Sequence, residues 1–230
     1  MIATLPMYDQ PQLQAANDAL WQAIRAALPF EAPEALTRGD DLMALWTDPE
    51  LLLGHTCGLI MVRPLHARVH YVASPDFGIE GCPAGYYSSA LVHRTGEAPT
   101  EGARLAYNEP NSQSGFGAAQ GFGFVPTLET GAHALSLEAV AQGQADVALI
   151  DRHTLRIVGV PEGLSVGGKT PPTPGTPFVT AREEWVAPLR AALPLAFEAL
   201  EETHRNALGL TGVYVLDVAD YHAVPQPPTP

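Results

Sequence analysis

The chain has 230 residues, a formal net charge of −13, and 46% hydrophobic against 16% charged residues. A chain of this length and composition packs as one large domain or as two smaller lobes, and its apolar content excludes global disorder. Because so acidic a protein repels a phosphate backbone, we expect no nucleic-acid partner.

Nothing in the sequence predicts a membrane-spanning protein. No apolar run approaches the roughly 20 residues that a membrane helix needs, and the N-terminal "MIATLPMYDQ" has neither a basic n-region nor an apolar core. If Met1 is the natural start, the expected location is cytoplasmic; if a leader was trimmed, it is periplasmic. Two cysteines, Cys57 and Cys82, do not make a disulfide framework in a chain of this size.

The first half of the chain predicts strands and helices in alternation. "IATLPMY" has a short apolar strand pattern that ends near Pro6, and residues 10–28 show helical apolar spacing with Asp9 as N-cap. "DDLMALW" predicts a short second helix. Strands are then predicted in "RVHYVAS", "YYSSALVHR" and "ARLAYN".

The second half continues this alternation. "SLEAVAQGQ" predicts a helix that leads into "ADVALID", a continuous apolar strand typical of parallel sheets. Residues 161–177 are rich in proline and predict an extended connection, and "EEWVAPLRAALPLAFEALEETHRNAL" predicts a helical stretch interrupted at Pro188 and Pro194. The alternation of strands and helices predicts an α/β protein.

Three motif matches fail on their sequence context. "GLSVGGKT" satisfies the P-loop pattern, but the prolines after Thr170 exclude the helix that would hold the phosphates. "GFGAAQG" departs from the dinucleotide-binding pattern at Gln120. His66 and His70 have the spacing of zinc ligands on a helix, but they lead into a predicted strand. We therefore predict no metal ion and no cofactor.

The segment "NEPNSQSGFG" leaves two interpretations open. Asn111 or Ser112 is placed to cap a helix whose first turn contains Gln113, Ser114 and Gly115. The unpaired N–H groups of such a turn, together with the helix dipole and the serine hydroxyls, would hold an anion without lysine or arginine. An ordinary capped helix would have the same residues, so the segment alone favours neither interpretation.

Taken together, several segments resemble the phosphonate-binding family of periplasmic-type solute-binding proteins, the receptors of phosphate and phosphonate ABC importers. They are "LPMYD", "DDLMALWTDPELLLGHTCG", "NEPNSQSG", "TGAHALSLEAVAQGQADVALID" and "GKTPPTPGTPFVT". The resemblance implies an α/β, two-lobed periplasmic-binding-protein type 2 fold, with a ligand cleft between lobes joined by two crossing strands. It also implies non-catalytic binding of a small acidic solute (phosphate or phosphonate, sulfonate or carboxylate), hinge closure, and an ABC permease as partner.

The same resemblance implies which residues contact the ligand. In this family a Ser-x-Ser-Gly turn opens a helix that grips the acidic head group, and further residues come from both lobes. They are Ser112, Gln113, Ser114 and Gly115 in the turn, His133 and Asp151 in the second lobe, and Tyr8, Thr56, Cys57, Gly58 and Tyr86 or Tyr87 in the first lobe.

The resemblance also divides the chain into lobes. It implies a first part of lobe 1 over 1–95, lobe 2 over 96–177, and a return to lobe 1 with the C-terminal helices and tail over 178–230. The two crossings are expected near 94–103 and 168–178, the second in the proline-rich stretch.

Two other functions stay open. An enzyme on the same scaffold, of the lyase or cofactor-synthesis type, would use His133, Asp151 and Cys57 for acid–base work if these residues converge. A cytoplasmic ligand sensor acting through a signalling partner would need no leader. Of the three functions, we expect that of the non-catalytic receptor, and we therefore predict no catalytic residues.

Overall fold

The structure, a computed structural model, describes residues 1–224. Up to residue 129 its elements are β1 (Ile2–Thr4), α1 (Gln14–Ala27), α2 (Leu42–Trp46), β2 (Leu51–His55), α3 (Gly58–Val62), β3 (His70–Asp76), β4 (Tyr86–Tyr87), β5 (Ser89–Arg94), β6 (Arg104–Tyr107) and β7 (Val125–Glu129). The elements that follow are α4 (His133–Ala141), β8 (Val147–Asp151), α5 (Arg152–Val158), β9 (Leu164–Lys169), β10 (Thr173–Pro174), β11 (Phe178–Thr180), α6 (Val186–Ala199), α7 (Glu202–Leu208), β12 (Gly212–Tyr214) and α8 (Val218–His222).

The described chain forms two compact α/β units. Unit 1 consists of Met1–Glu80 and Pro174–His222, and unit 2 of Gly81–Thr173 with Ala223 and Val224. In this division the chain leaves unit 1 after Glu80 and returns to it at Pro174, the same order as in the predicted organisation. The second crossing, between Thr173 and Pro174, lies within the predicted range 168–178.

The first crossing lies earlier than predicted. It falls between Glu80 and Gly81, not near 94–103, so the boundary drawn after residue 95 is wrong. The reason is that β5, which the prediction placed in lobe 1, pairs antiparallel with β8 and β9 inside the sheet of unit 2. Of the predicted return segment, residues 178–222 lie in unit 1, and the tail from 225 lies outside the described residues.

Unit 1 is built on a five-stranded sheet in the order β1-β2-β11-β3-β12. β1 and β2 are parallel, with Thr4 beside Gly54, whereas β11 is antiparallel to β2 and β3. All residues of β2 are buried, and its Leu51 joins a core cluster with Trp46 and Val179. The carboxyl ends of β1 and β2 therefore lie side by side, at the edge where α/β sheets bind ligands.

Unit 2 is built on a second five-stranded sheet in the order β7-β6-β8-β5-β9. β8 is parallel to β6 and antiparallel to β5. Ala148 and Ile150 belong to one core cluster and Val147 and Leu149 to another, so β8 is buried on both faces. This confirms the buried strand predicted from the continuous apolar run of "ADVALID".

The first helix begins later than the sequence predicted. A 3-10 turn at Pro11–Leu13 precedes α1, which starts at Gln14, and no side chain caps it. The carboxylate of Asp9, the predicted N-cap, instead accepts a hydrogen bond from Asn17 Nδ2 at 2.9 Å and pairs with Arg38. The prediction of a helix is thus confirmed and that of its cap is wrong.

The long C-terminal helical stretch is interrupted at a different place. α6 contains both Pro188 and Pro194, and it ends before Leu200. Pro188 lies in the first turn, where its missing N–H group breaks no intrahelical bond. The predicted interruptions at these prolines are therefore wrong, and α7 follows after a break at Leu200. Within residues 1–224, no helix is both long and apolar enough to cross a membrane.

Candidate functional site

The segment Ser112–Gly115, called the serine turn below, is a series of turns and not the predicted start of a helix. The hydroxyl of Ser112 accepts a hydrogen bond from Gly115 N at 3.0 Å, and Gly117 N donates to Ser112 O at 2.8 Å. Only a 3-10 turn at Gly117–Ala119 follows. The bond from Gly115 N to the Ser112 hydroxyl has the i, i+3 spacing of an N-cap, but no α-helix follows it. The glycines at 115 and 117 disfavour one.

His133 lies beside the serine turn, and both are predicted ligand contacts. It is the first residue of α4, and its Nε2 lies 2.9 Å from Ser114 Oγ. Burial lowers the pKa of His133 to about 4, so the ring is neutral at physiological pH. Its other ring nitrogen, Nδ1, is buried and has no hydrogen-bond partner within residues 1–224.

Ser89, which is not among the predicted site residues, holds the serine turn in place. Its hydroxyl donates to Ser114 O at 2.8 Å, and its amide donates to Thr170 Oγ1 at 2.9 Å. In the sheet, Ser89 pairs with Asp151 at the end of β8. The signal that could have revealed it is the Ser-Ser pair at the start of the apolar strand "SALVHR".

Asp151 has a structural task in the same region. Its carboxylate accepts hydrogen bonds from His153 N at 2.7 Å and from the Thr154 hydroxyl at 3.3 Å, which caps α5. Gln113 is 2% exposed, and its Nε2 donates to Thr173 Oγ1 at 3.1 Å. The second-lobe residues of the prediction therefore lie in one unit, where Asp151 acts as a helix cap.

Gly115 is required by its neighbour Asn108. A Cβ added at Gly115 would overlap with Asn108 Oδ1 and come within 3.1 Å of Ser112 Oγ. Asn108 also ties the serine turn to the loop before His133, because its carbonyl accepts from Gly131 N at 2.8 Å. The close contact with Asn108 gives Gly115 a structural role within the protein.

In unit 1, the predicted ligand contacts Thr56, Cys57 and Gly58 lie together at the turn between β2 and α3. Thr56 is fully buried; its amide donates to Pro177 O at 3.0 Å, and its hydroxyl has no partner among the described residues. Cys57 occupies the N-cap position of α3, and Gly58 is the first helical residue.

Tyr8 lies near this turn in a strained conformation. Its φ is +64°, which is uncommon for a residue with a side chain. The ring makes edge contacts with Phe77 at 5.1 Å and with His55 at 6.1 Å between centroids. These contacts hold the aromatic ring beside the carboxyl end of β2.

Tyr86 and Tyr87 do not belong to the unit that the prediction gave them. Both form β4, which lies in unit 2 because the chain crosses before Gly81. Tyr87 is 4% exposed and Tyr86 is half-buried. Their assignment to the first lobe is therefore wrong.

The serine turn offers neutral hydrogen-bond donors and no cationic side chain. Such groups can hold an anion by its oxygens, as buried hydroxyls and backbone N–H groups do elsewhere. The short Ser114–His133 distance is also the geometry of an activated nucleophile and its base. A histidine whose pKa is about 4, however, is a weak base at neutral pH, because general bases work best with a pKa near the ambient pH.

Residues 2–221 match the family described as ABC transporter, phosphonate, periplasmic substrate-binding protein. No curated protein matches the chain.

Solved structures share the fold at low sequence identity. PhnD1 from Prochlorococcus marinus (MIT 9301), in complex with methylphosphonate, superposes with a TM-score of 0.72 at 14% identity over 97% of this chain and 94% of its own. A binding protein component of an ABC phosphonate transporter from Pseudomonas aeruginosa gives 0.69 at 16% identity over 94% and 81%. XAC2383 from Xanthomonas citri, bound to chloride ion, gives 0.66 at 14% identity over 97% and 98%.

Proposed function

The chain belongs to the family of ABC transporter, phosphonate, periplasmic substrate-binding proteins, and we propose that it binds a small phosphonate- or phosphate-like anion at the serine turn. The binding is non-catalytic, and the anion's oxygens accept hydrogen bonds from Ser112, Ser114 and neighbouring backbone N–H groups. Sulfonates and carboxylates have the same kind of oxygens and are weaker candidates. The partner that takes up the solute is an ABC permease.

The observation that carries this proposal is the hydrogen bond between Ser114 and His133. If the Ser114 hydroxyl donates to an anion, its oxygen must accept the proton of His133 Nε2, 2.9 Å away. The neutral ring thereby fixes the direction in which the hydroxyl points. Because Ser112, Gln113 and Ser114 are each at most 9% exposed, an anion held there would lose little to competition with water.

The other predicted site residues and their neighbours either stabilise the serine turn and its surroundings or are candidate contacts for the solute. Gly115 and Asn108 keep the turn compact, and Ser89 fixes the carbonyl of Ser114. Asp151 caps α5 and holds the end of β8 in place. Tyr8, Thr56, Cys57 and Gly58 in unit 1, and Tyr86 and Tyr87 in unit 2, stay candidate contacts for the rest of the solute.

The enzyme alternative has one observation in its favour, the Ser114–His133 geometry. The low pKa of His133 and the use of Asp151 as a helix cap both favour binding over turnover. Incubation of the protein with methylphosphonate, followed by phosphorus NMR, distinguishes the two. A new phosphorus signal that grows with time and protein concentration would establish catalysis.

Calorimetric titration tests the binding itself, with methylphosphonate, phosphate, methanesulfonate and acetate as ligands. We expect saturable binding of methylphosphonate or phosphate, stronger than that of the other two. Ser114→Ala should weaken it roughly ten- to a hundredfold, because a hydrogen bond to a charged group contributes about 1.5–3 kcal/mol.

Ser165→Ala is the matched control in the same unit. The Ser165 hydroxyl bonds Thr95 at an exposed position, 2.7 Å away, so its loss should leave the affinity within about twofold. If none of the four anions binds, the proposal is contradicted. Normal binding by Ser114→Ala with a lowered melting temperature would leave the serine turn a purely structural feature.

A further inference from the structure

Unit 1 contains a cavity of about 380 Å³ at the carboxyl end of β1. Its wall comes from the residues after β1, the start of α1 and the loop before α2. That loop is attached to β1 by a hydrogen bond from Thr37 N to Ala3 O of 2.7 Å. The volume lies in the roughly 300–1,000 Å³ range of small-molecule sites, and the carboxyl end of a parallel strand is where such sites form.

Polar side chains without hydrogen-bond partners line this cavity. Within residues 1–224 they are Thr4, Gln14, Thr37 and Asp40. Thr4 is the most informative of these residues, because it is only 1% exposed. Hydroxyl groups of such residues are usually hydrogen-bonded within the protein. A ligand hydroxyl that reaches Thr4 would give its side chain a hydrogen-bond partner.

The charges on the wall favour a cation. Asp9 and Asp40 supply two carboxylates against the one guanidinium of Arg38. Arg38 is already compensated, since it bonds Asp9 at 2.6 Å and Asp18 at 2.9 Å. Asp40 has no ion pair among the described residues, so its charge stays available to a ligand.

An anion has less to gain in the same place. The N-terminus of α1 would attract one through its dipole, but the carboxylate of Asp9 is bonded to Asn17 near that end and opposes the attraction. The net charge of −13 acts in the same direction.

We propose that this cavity binds a small organic ammonium compound, with its nitrogen donating to the Asp40 carboxylate and a hydroxyl group bonding Thr4 and Thr37. All residues involved lie in unit 1, so the proposal does not depend on anion binding at the serine turn. The site would add an affinity for cations to a chain whose other candidate site takes anions.

Ethanolamine, ethylene glycol and glycolate test the proposal, because they are similar in size and differ in charge. Two-dimensional amide NMR titrations should show saturable shifts at Thr4, Thr37 and Gly39 with ethanolamine, and far weaker ones with the neutral and anionic compounds. Asp40→Asn should weaken ethanolamine binding by roughly tenfold, and Thr4→Val by roughly threefold, as expected for one charged and one neutral hydrogen bond.

Glu184→Gln is the matched control, since it removes one exposed carboxylate of unit 1 that does not line the cavity. Its affinity for ethanolamine should equal that of the wild type. Equal shifts with glycolate, or an equal loss in Glu184→Gln and Asp40→Asn, would overturn the proposal. It is also overturned if Thr4→Val binds normally, because the contact would then be an exposed ion pair outside the cavity.

Discussion

Each unit contains a neutral histidine whose ring bonds a hydroxyl group. In unit 1, His55 Nε2 lies 2.8 Å from Thr176 Oγ1, and in unit 2, His133 Nε2 lies 2.9 Å from Ser114 Oγ. Burial lowers the pKa of His55 to about 3 and that of His133 to about 4. The two pairs therefore have nearly the same hydrogen-bond distance, and both histidines are neutral.

Their surroundings differ. His55 is the last residue of a buried strand, and its ring contacts Phe178 at 4.8 Å between centroids. His133 is the first residue of a helix, is half-buried, and bonds a turn made of serine and glycine. A His–hydroxyl pair therefore stabilises a core in one unit and can orient a donor in the other, and the neighbouring backbone decides between these roles.

The largest effect is expected from Gly115→Val, which acts on the backbone next to Ser114. The new side chain would displace Asn108 and Ser112 from the serine turn. Methylphosphonate binding should fall roughly a hundredfold, equivalent to about 2.7 kcal/mol. Calorimetry measures this directly.

Gly168→Val is the control for this change, in the same unit. A Cβ at Gly168 meets no atom within 4 Å, and its φ is not positive. Binding by this variant should match the wild type. Equal losses in both variants would mean that valine disturbs unit 2 in general, and the special position of the serine turn would have no support.

Thr176→Val tests the other half of the comparison. It leaves the buried His55 without its hydroxyl partner, which should lower the free energy of unfolding by about 1–3 kcal/mol. Methylphosphonate affinity should stay within about threefold, in contrast to Ser114→Ala. If Thr176→Val weakens binding as strongly as Ser114→Ala, the two pairs have the same role and the distinction drawn above is wrong.

Acidification should destabilise the protein through both histidines. Because their folded pKa values lie below the ordinary 6.5, the unfolded chain binds more protons below pH 6.5, and stability falls as the pH falls. Each histidine contributes up to about 1.4 kcal/mol per pH unit, or about 2 kcal/mol between pH 6.5 and 5. Urea unfolding at pH 7 and pH 5 measures the difference.

His133→Gln separates this contribution from those of other groups. The variant should lose about 2 kcal/mol less than the wild type between the two pH values, since glutamine does not titrate. Carboxyl groups titrate in both proteins and cancel in the comparison. An unchanged pH dependence would show that His133 is accessible to protons in the folded state.

Much of this fold is readable from apolar patterns. The buried β8 and the helix α1 follow from periodicity, because burial selects apolar residues at fixed spacing. The first crossing could not be read, since β5 has the same strand pattern whichever unit it joins. Strand pairing is a long-range property that one strand's own sequence does not carry.

The candidate site was predictable in composition and not in conformation. Ser114 and His133 were each assigned to the ligand site by a family resemblance, and their direct contact is known only from the structure. The Ser112 side chain bonds Gly115 N as a helix cap would, but the expected helix does not continue in a segment with glycines at 115 and 117. Ser89 was missed because its contribution depends on strand pairing that brings it beside Asp151.

The smallest effect is expected at Lys169, the lysine of the P-loop-like sequence. Residues Leu164–Lys169 form β9, and Thr170 accepts a hydrogen bond from Ser89 N instead of opening a helix. Without a helix N-terminus after the lysine, no phosphate can be held there in the manner of a P-loop. Lys169→Ala should therefore leave methylphosphonate affinity within about twofold. Titration of both proteins with ATP and magnesium checks the same point: micromolar, magnesium-dependent binding that disappears in Lys169→Ala would contradict it.

Because Ser89 joins Thr170 to the serine turn, Ser89→Ala is the variant to compare with Lys169→Ala. It should weaken methylphosphonate binding more than Lys169→Ala does, since it releases the carbonyl of Ser114.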